Sequence, residues 1–244
     1  MQFKNTLFAL ALLITVSVAS AQTPTGPRRI MADENSLVTD SSGMKYPALV
    51  WQKLVTSGDY WLRPIDPNAE KPQFILQKIT EAQKAARYAK SPRPADSKFF
   101  ANGGVFKTFS FKDLNGQKIQ TKDWAGKTVV VNFWFIGCPP CRAEIPDLNK
   151  LALKYKDNPN VLFVAVALDQ GWEVKDFIKE NPLAYHLVGD GRYTAGMYEV
   201  TAYPTNVVID KQGKVMLHYS GGYPQGPYWM DKMIQQSEAA TAAQ

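Results

Sequence analysis

Two cysteines in a C-x-x-C motif, Cys138 and Cys141, are the residues of this 244-residue chain whose types and spacing point most directly to chemistry. The chain has no other cysteine, and two cysteines placed at random would take this spacing in roughly one chain in a hundred. A reduced pair at this spacing can attack a disulfide and then close on itself, which transfers two electrons. The motif therefore indicates a redox dithiol, a structural disulfide or part of a metal site.

The two interpretations without redox chemistry are weak on physical grounds. A disulfide that closes so short a loop restrains the unfolded chain much less than the about 3 kcal/mol of a loop of about 15 residues. Zinc needs four ligands, and the only histidines, His186 and His218, lie far along the chain from the cysteines and from each other. We therefore expect neither a metal nor another cofactor.

The sequence around the cysteines predicts a strand followed by a helix. Residues 128–135 are β-branched and aromatic, which is typical of a central strand buried on both faces. Pro139 and Pro140 can occupy the first turn of a helix. Residues 142–156 carry apolar side chains along one helical stripe, so the helix continues there.

This arrangement assigns different roles to the two cysteines. Cys138 would lie at the helix start, beside unpaired backbone N–H groups and the positive end of the helix dipole, which stabilise a thiolate. Cys141 would lie one turn inside the helix, shielded from solvent. We predict that Cys138 attacks the substrate and that Cys141 resolves the intermediate.

Residues 132–146 (N-F-W-F-I-G-C-P-P-C-R-A-E-I-P) resemble the active-site segment of the thioredoxin superfamily, and more narrowly that of the exported TlpA/ResA-like thiol-disulfide oxidoreductases. A second match is the A-Y-P-T segment at residues 202–205, and the resemblance covers about residues 103–238. It implies that a cis peptide bond precedes Pro204, which faces the dithiol, and that the backbone of Tyr203 pairs with an extended client chain.

The resemblance also implies an α/β fold of the thioredoxin type, in which helices flank a mixed central sheet and a helix-strand-helix insert occupies residues 169–199. The residue patterns predict the other elements of this domain: strands at 105–111, 118–121, 161–168, 184–188, 206–209 and 214–219, and helices at 172–180, 193–199 and 225–236. A frayed tail is expected from residue 236.

One departure from thioredoxin concerns the proton chemistry of the site. Thioredoxin keeps a buried Asp on the strand before the dithiol, and this chain has Asn132, which cannot titrate. The exported branch has a Glu that matches Glu144, which shares a helix face with Cys141. A carboxylate there would raise the thiol pKa values and could carry the resolving proton. The alternative is a solvated acid favoured by the helix dipole.

The candidate substrate contacts are Tyr203, Trp134, Pro139 and Pro140. Many relatives have Trp immediately before the first cysteine, where this chain has Gly137. Trp134 is a candidate to cover the site instead, although a Trp in an apolar run is typical of a core residue.

Residues 22–98 resemble no known family, and we divide the chain into residues 1–21, 22–98 and 99–244. The middle part is expected either to pack on the catalytic domain or to shape a docking surface for partners. Its patterns predict a loose segment at 24–43, a helix at 47–56, an edge strand or an extended packing segment at 60–65, a helix at 74–88 and a linker at 91–94.

Residues 1–21 have the layout of a secretory signal peptide. A weakly positive start precedes an apolar run at residues 7–18, and Ala19-Ser20-Ala21 has the form of a cleavage site. We therefore expect an exported, periplasmic protein, and an uncleaved membrane anchor is the alternative.

The amino-acid composition and the net charge indicate a folded protein that does not bind nucleic acid. Apolar residues make up 45% of the chain and charged residues 20%, which excludes wholesale disorder. The net charge of +6 comes from scattered bases, so we expect no nucleic-acid partner, and we expect a monomer.

The expected activity is thiol–disulfide exchange in the direction of reduction. Oxidants of the DsbA type have a His between their cysteines that stabilises the thiolate, and Pro139 and Pro140 offer no such donor. The family implies protein disulfide clients, in disulfide repair or in cytochrome c maturation with apocytochrome c, and a membrane thiol reductant as electron donor. The alternatives are a thiol peroxidase, which needs Thr or Ser where this chain has Phe135, and a non-catalytic binding module.

Overall fold

The computed structural model describes residues 31–66, 68, 69 and 71–241, so the predicted signal peptide lies outside the described residues. In chain order the elements are β1 (Leu37–Thr39), α1 (Ala48–Thr56), β2 (Tyr60–Pro64), β3 (Gln73–Lys78), α2 (Glu81–Ala89), β4 (Phe111–Lys112), β5 (Lys118–Ile119), β6 (Thr128–Trp134), α3 (Pro139–Lys154), β7 (Val161–Ala167), α4 (Gly171–Phe177), β8 (His186–Val188), α5 (Arg192–Met197), β9 (Thr205–Ile209), β10 (Val215–Ser220) and α6 (Gly226–Thr241). None of the helices in this part of the chain is both long and apolar enough to span a membrane.

The main sheet has five strands in the order β10-β9-β6-β7-β8. Strand β6 pairs parallel with β7 and antiparallel with β9, and β7 pairs parallel with β8. All seven residues of β6 are buried, as its apolar composition predicts for a strand covered on both faces. The mixed thioredoxin-like sheet is thereby confirmed, and its central strand leads directly to the cysteines.

Two apolar layers cover the sheet. Helices α3 and α6 pack on one face, where the core includes Val130, Trp134, Leu148, Leu151, Leu217, Met230 and Ile234. The segment before β6 and helix α5 cover the other face, where the core includes Phe106, Phe109, Trp124, Phe133, Val164, Ala195 and Val207. Because side chains alternate along a strand, Asn132 faces α3 together with its neighbours Val130 and Trp134.

The N-terminal part has a small sheet and core of its own. Its strands lie in the order β1-β3-β2, so the predicted strand at 60–65 is an edge strand as expected. The core consists of Val38, Trp51, Phe74 and Leu76. Buried Lys84 of α2 bridges Asp59, at 2.8 Å, and Asp147 of α3, at 3.0 Å, which joins this part to helix α3.

Two predictions for the N-terminal part are wrong. The single helix expected at 74–88 is strand β3 followed by helix α2, because Phe74 and Leu76 are buried with the period of a strand and Thr80 caps a new helix through a capping box with Gln83. Within the segment expected to be loose, residues 37–39 form β1, which pairs parallel with β3.

Two predictions for residues 99–244 also need correction. Residues 106–110 do not form a strand, because Phe106 and Phe109 turn into the core and leave only the short hairpin β4–β5. The tail is not frayed from residue 236, because α6 continues to Thr241. Ser237 accepts a hydrogen bond from Thr128 Oγ1 at 2.8 Å, and Glu238 accepts one from Asn158 at 3.0 Å.

Candidate active site

The cysteines form a disulfide at the junction between β6 and α3. Cys138 caps α3, and its Sγ accepts a hydrogen bond from the Cys141 N–H at 3.2 Å. Pro139 and Pro140 fill the first two helical positions and have no N–H to donate. The predicted helix-start position is confirmed, but the prolines remove two of the donors expected there.

The disulfide is almost completely covered. Cys141 is 1% exposed, as predicted for a shielded residue, and Cys138 is 2% exposed, so exposure does not distinguish the two residues in the oxidised form. The exposed residues next to the two cysteines are Gly137, Pro139, Pro140 and Arg142.

The loop before β9 lies on the same side of the fold. The peptide bond between Tyr203 and Pro204 is cis, as predicted, and Pro204 is buried. Tyr203 is half-buried, and its ring meets the ring of Phe135 edge-on with centroids 5.5 Å apart. The loop with the cis-proline is thus in contact with the segment that leads to Cys138.

Glu144 is buried on helix α3 rather than solvated. It is 8% exposed and lies one turn after Cys141 on the buried side of α3, so the alternative of a solvated acid is wrong. Asn132 donates to Glu144 Oε1 at 3.1 Å, and Asn206 donates to both carboxyl oxygens at 3.2 and 3.3 Å. Burial raises the pKa of Glu144 to about 8, against the opposing effect of these hydrogen bonds.

Sequence reasoning missed Asn206, which completes this group of polar side chains. Asn132 and Asn206 are directly paired across β6 and β9, and Asn132 Nδ2 donates to Asn206 Oδ1 at 2.9 Å. Their shared signal in the sequence is a polar amide inside an otherwise apolar strand. Two buried phenols, Tyr185 and Tyr219, also interact with Glu144; burial and this carboxylate raise the pKa of each phenol well above its usual value.

Trp134 belongs to the core, and its predicted contact with substrate is wrong. It is 1% exposed, and its ring packs against that of Phe177 with centroids 5.7 Å apart. As a residue of β6 that faces α3, it supports the disulfide from below.

A carboxylate from another loop binds the segment between β6 and Cys138. The Ile136 N–H donates to Asp169 Oδ2 at 2.7 Å. Asp169 follows β7, and the contact joins two loops that are distant in sequence, so no local pattern could have predicted it.

Comparisons with known proteins agree with this fold. The family model described as AhpC/TSA family matches residues 103–218. The chain is 37% identical over 123 residues to the thiol-disulfide oxidoreductase ResA of Bacillus cereus, a match that covers 50% of this chain and 71% of the relative. It is 34% identical over 109 residues to the thioredoxin-like protein YneN of Bacillus subtilis, which covers 44% of this chain and 64% of that protein.

A solved structure of a related protein has a similar fold. The crystal structure of a protein from Chlorobium tepidum, assigned as a thiol:disulfide interchange protein DsbE, superposes with a TM-score of 0.51 at 27% identity. The match covers 57% of this chain and 98% of that one.

The fold and the disulfide at its strand–helix junction define a thiol-disulfide oxidoreductase of the thioredoxin type. Within that class, the match to ResA assigns the family, because it is 37% identical and covers 71% of the relative. The chain belongs to the TlpA/ResA-like family of the thioredoxin superfamily.

Proposed function

We propose that this oxidoreductase is an exported reductant of protein disulfides in which Cys138 attacks, Cys141 resolves and Glu144 exchanges the proton. The observation that carries the proposal is the buried carboxyl of Glu144, one helical turn behind Cys141, with a pKa of about 8. We further propose that residues 1–21 are a signal peptide, that 22–98 are an extension and that 99–244 are the catalytic domain.

The proposed reaction has two exchanges. The Cys138 thiolate attacks one sulfur of the client disulfide, which forms a mixed disulfide and releases the other client sulfur as a thiolate that takes up a proton. Cys141 then loses its proton, and its thiolate attacks Cys138 Sγ. This step releases the second client thiol and forms the Cys138–Cys141 disulfide, so that two electrons pass from the enzyme to the client.

Glu144 is suited to the proton step because its pKa is close to that of a thiol. An ordinary cysteine has a pKa of about 8.5, so transfer of a proton from Cys141 to a carboxylate with a pKa of about 8 is nearly balanced in free energy. In the oxidised form the Asn132 and Asn206 amides donate hydrogen bonds to the carboxyl oxygens of Glu144, which fixes their position.

The first turn of α3 favours the reducing direction. Because Pro139 and Pro140 lack N–H groups, the Cys138 sulfur receives a hydrogen bond from the Cys141 N–H but none from these two positions. A thiolate with fewer donors is less stabilised, and a less stable reduced form makes the dithiol a stronger reductant.

The clients we propose are proteins with accessible disulfides. An extended client segment would pair with the backbone of Tyr203 and cross the rim of Pro139 and Pro140. The family resemblance supports wrongly paired disulfides or apocytochrome c as clients, a membrane thiol reductant as the source of electrons and the periplasm as the location.

The test is reduction of insulin disulfides in the presence of dithiothreitol. We expect the wild-type protein to accelerate the reaction, the Cys138→Ser variant to be inactive and the Cys141→Ser variant to accumulate a mixed disulfide through Cys138. In the reduced wild-type protein, an alkylating agent should label Cys138 much faster than Cys141. Equal labelling, or activity that persists in Cys138→Ser, would contradict the proposal, and rapid consumption of peroxide would favour a thiol peroxidase.

A further inference from the structure

Asp169 is joined to the approach to Cys138 by a hydrogen bond that neither strand pairing nor helix capping supplies. The ladder between β6 and β7 ends at the pair Trp134 and Ala167. Two residues beyond Trp134, the Ile136 N–H donates to Asp169 Oδ2 at 2.7 Å. The carboxylate oxygen thus replaces the backbone carbonyl that would accept this hydrogen bond if the ladder continued.

Ile136 lies inside the turn that carries the reactive cysteine. The Cys138 N–H donates to the Phe135 carbonyl at 3.2 Å, which closes a tight turn over residues 135–138. A bond that fixes the Ile136 N–H therefore fixes the turn from within. In the oxidised form the disulfide also restrains Cys138, whereas in the reduced form that restraint is absent.

The backbone that carries Asp169 is itself firmly held. The Asp190 N–H donates to the Asp169 carbonyl at 2.7 Å, and the Gly191 N–H donates to the Ala167 carbonyl at 2.8 Å. The Gly171 N–H donates to Asp190 Oδ2 at 3.2 Å. The loops after β6, β7 and β8 are thus linked in series through Asp169 and Asp190.

Close backbone contacts make these loops rigid. A Cβ on Gly189 would lie 2.4 Å from Gly171 Cα, and a Cβ on Gly191 would lie 2.7 Å from the Ala167 carbonyl oxygen. The two loops can pack this closely because glycine has no side chain. Asp169 therefore projects from a fixed support.

We propose that Asp169 is a positioning residue that holds the turn 135–138 and so keeps Cys138 within reach of Cys141 in the reduced form. Closing the disulfide costs conformational entropy when the turn is disordered. If Asp169 already orders the turn in the reduced form, that cost is smaller and the effective concentration of Cys138 at Cys141 is higher. The consequence for catalysis rests on the function proposed above, but the closure of the disulfide does not depend on a client.

The experiment measures the equilibrium constant for closure of the Cys138–Cys141 disulfide against dithiothreitol, in the full chain. We expect Asp169→Ala to lower this constant about tenfold, since a hydrogen bond to a charged group contributes roughly that factor. For a two-electron couple, tenfold corresponds to a potential about 30 mV less negative. We expect Asp169→Asn, which keeps an acceptor oxygen, to stay within about threefold of wild type.

The matched control is Asp190→Gly, which removes the neighbouring carboxylate and suits the φ of 56° at that position. It should leave the constant within twofold of wild type, because it keeps the backbone hydrogen bonds from residues 190 and 191 that support Asp169 and removes only the side-chain bond to Gly171. The proposal would be overturned if the constant of Asp169→Ala stayed within twofold of wild type. It would also be overturned if Asp190→Gly or Asp169→Asn lowered the constant as much as Asp169→Ala does.

A second measurement uses the reduced wild-type protein and does not depend on any variant folding. The Ile136 amide should exchange with solvent slowly, as expected of an N–H held by a carboxylate, and fast exchange there would overturn the proposal. Because neither measurement contains a client, a failure to reduce insulin would refute the proposed function while leaving the role of Asp169 to be decided separately.

Discussion

Asn206 donates its side-chain amide to both carboxyl oxygens of Glu144, at 3.2 and 3.3 Å, across the boundary between β9 and α3. Asn206 is two residues after Pro204, so one short segment carries both the cis-proline and a contact to the buried carboxyl. Since Asn132 donates to the same carboxyl at 3.1 Å, two neutral amides hold a carboxyl group that has almost no access to solvent.

The first prediction is that loss of the Asn206 amide makes Glu144 harder to ionise. The hydrogen bonds from Asn206 lower the pKa of Glu144 relative to burial alone, so Asn206→Ala should raise that pKa further, by about one unit. The pH midpoint of the resolving step, measured by rapid quench from a preformed mixed disulfide, should shift upward by the same amount. Asn160→Ala, at an exposed site, is the control and should leave the midpoint in place.

The second prediction concerns stability as a function of pH. Because the pKa of Glu144 is about 8 in the folded protein and about 4.5 when unfolded, the folded state binds the extra proton between these values. The contribution of Glu144 to the stability of the folded state is therefore fully present below pH 4.5 and is lost as the pH rises through 8. Glu144→Gln should stabilise the oxidised protein by about 3–5 kcal/mol at pH 9 and by almost nothing at pH 4. Urea unfolding at both pH values tests this, and an equal gain at both would disprove the titration.

Local patterns were enough to predict the centre of the site. The apolar run of β6, the two prolines and the stripe of α3 are contiguous, so they predicted where Cys138 and Cys141 lie. Helical spacing predicted that Glu144 faces the same side as Cys141.

The misses have two physical causes. Asn206 and Asp169 act through contacts between distant loops and strands, and no local periodicity encodes such contacts. The helix predicted at 74–88 is wrong because the helical spacing of Phe74, Ile75, Ile79, Ala82 and Ala86 spans two elements. Phe74 and Leu76 are buried with the period of a strand, and the cap at Thr80 separates β3 from α2.

The third prediction is that Lys84 holds the N-terminal part to the catalytic domain. Burial alone would lower the pKa of Lys84, but its hydrogen bonds to Asp59 and Asp147 outweigh that effect and raise it. Lys84→Met would remove the buried cation that Asp59 and Asp147 share, leaving Asp147 only the exposed Lys150, and should cost about 2–3 kcal/mol of local stability. Hydrogen exchange in α2 should accelerate at least tenfold, with no change in the dithiol equilibrium. Lys150→Met removes an exposed partner of the same Asp147 and should have little effect.

The fourth prediction is that acid loosens residues 95–98, which follow the predicted linker at 91–94. The Ser97 N–H donates to His218 Nδ1 at 3.1 Å, and a protonated imidazole cannot accept this bond. Burial lowers the pKa of His218, an effect that Arg93 reinforces and that the Asp96 carboxylate, 4.0 Å from Nε2, offsets only in part. Stability from this contact is thus present above about pH 6.5 and lost as the pH falls below it.

Amide exchange at Ser97, corrected for the intrinsic effect of pH, should therefore increase between pH 7 and pH 5. His218→Gln keeps an acceptor oxygen that does not titrate and should remove this dependence. An unchanged pH response in that variant would show that another group controls residues 95–98.

The reduction potential of the Cys138–Cys141 pair is the measurement that tests the central claim most directly. It is obtained from the fraction of disulfide at equilibrium in a series of dithiothreitol redox buffers. Because Pro139 and Pro140 donate no N–H to the Cys138 sulfur, we predict a potential more negative than about −220 mV, in the range of cellular reductants. A value near the about −120 mV of the strong oxidant DsbA would contradict the assignment of this protein as a disulfide reductant.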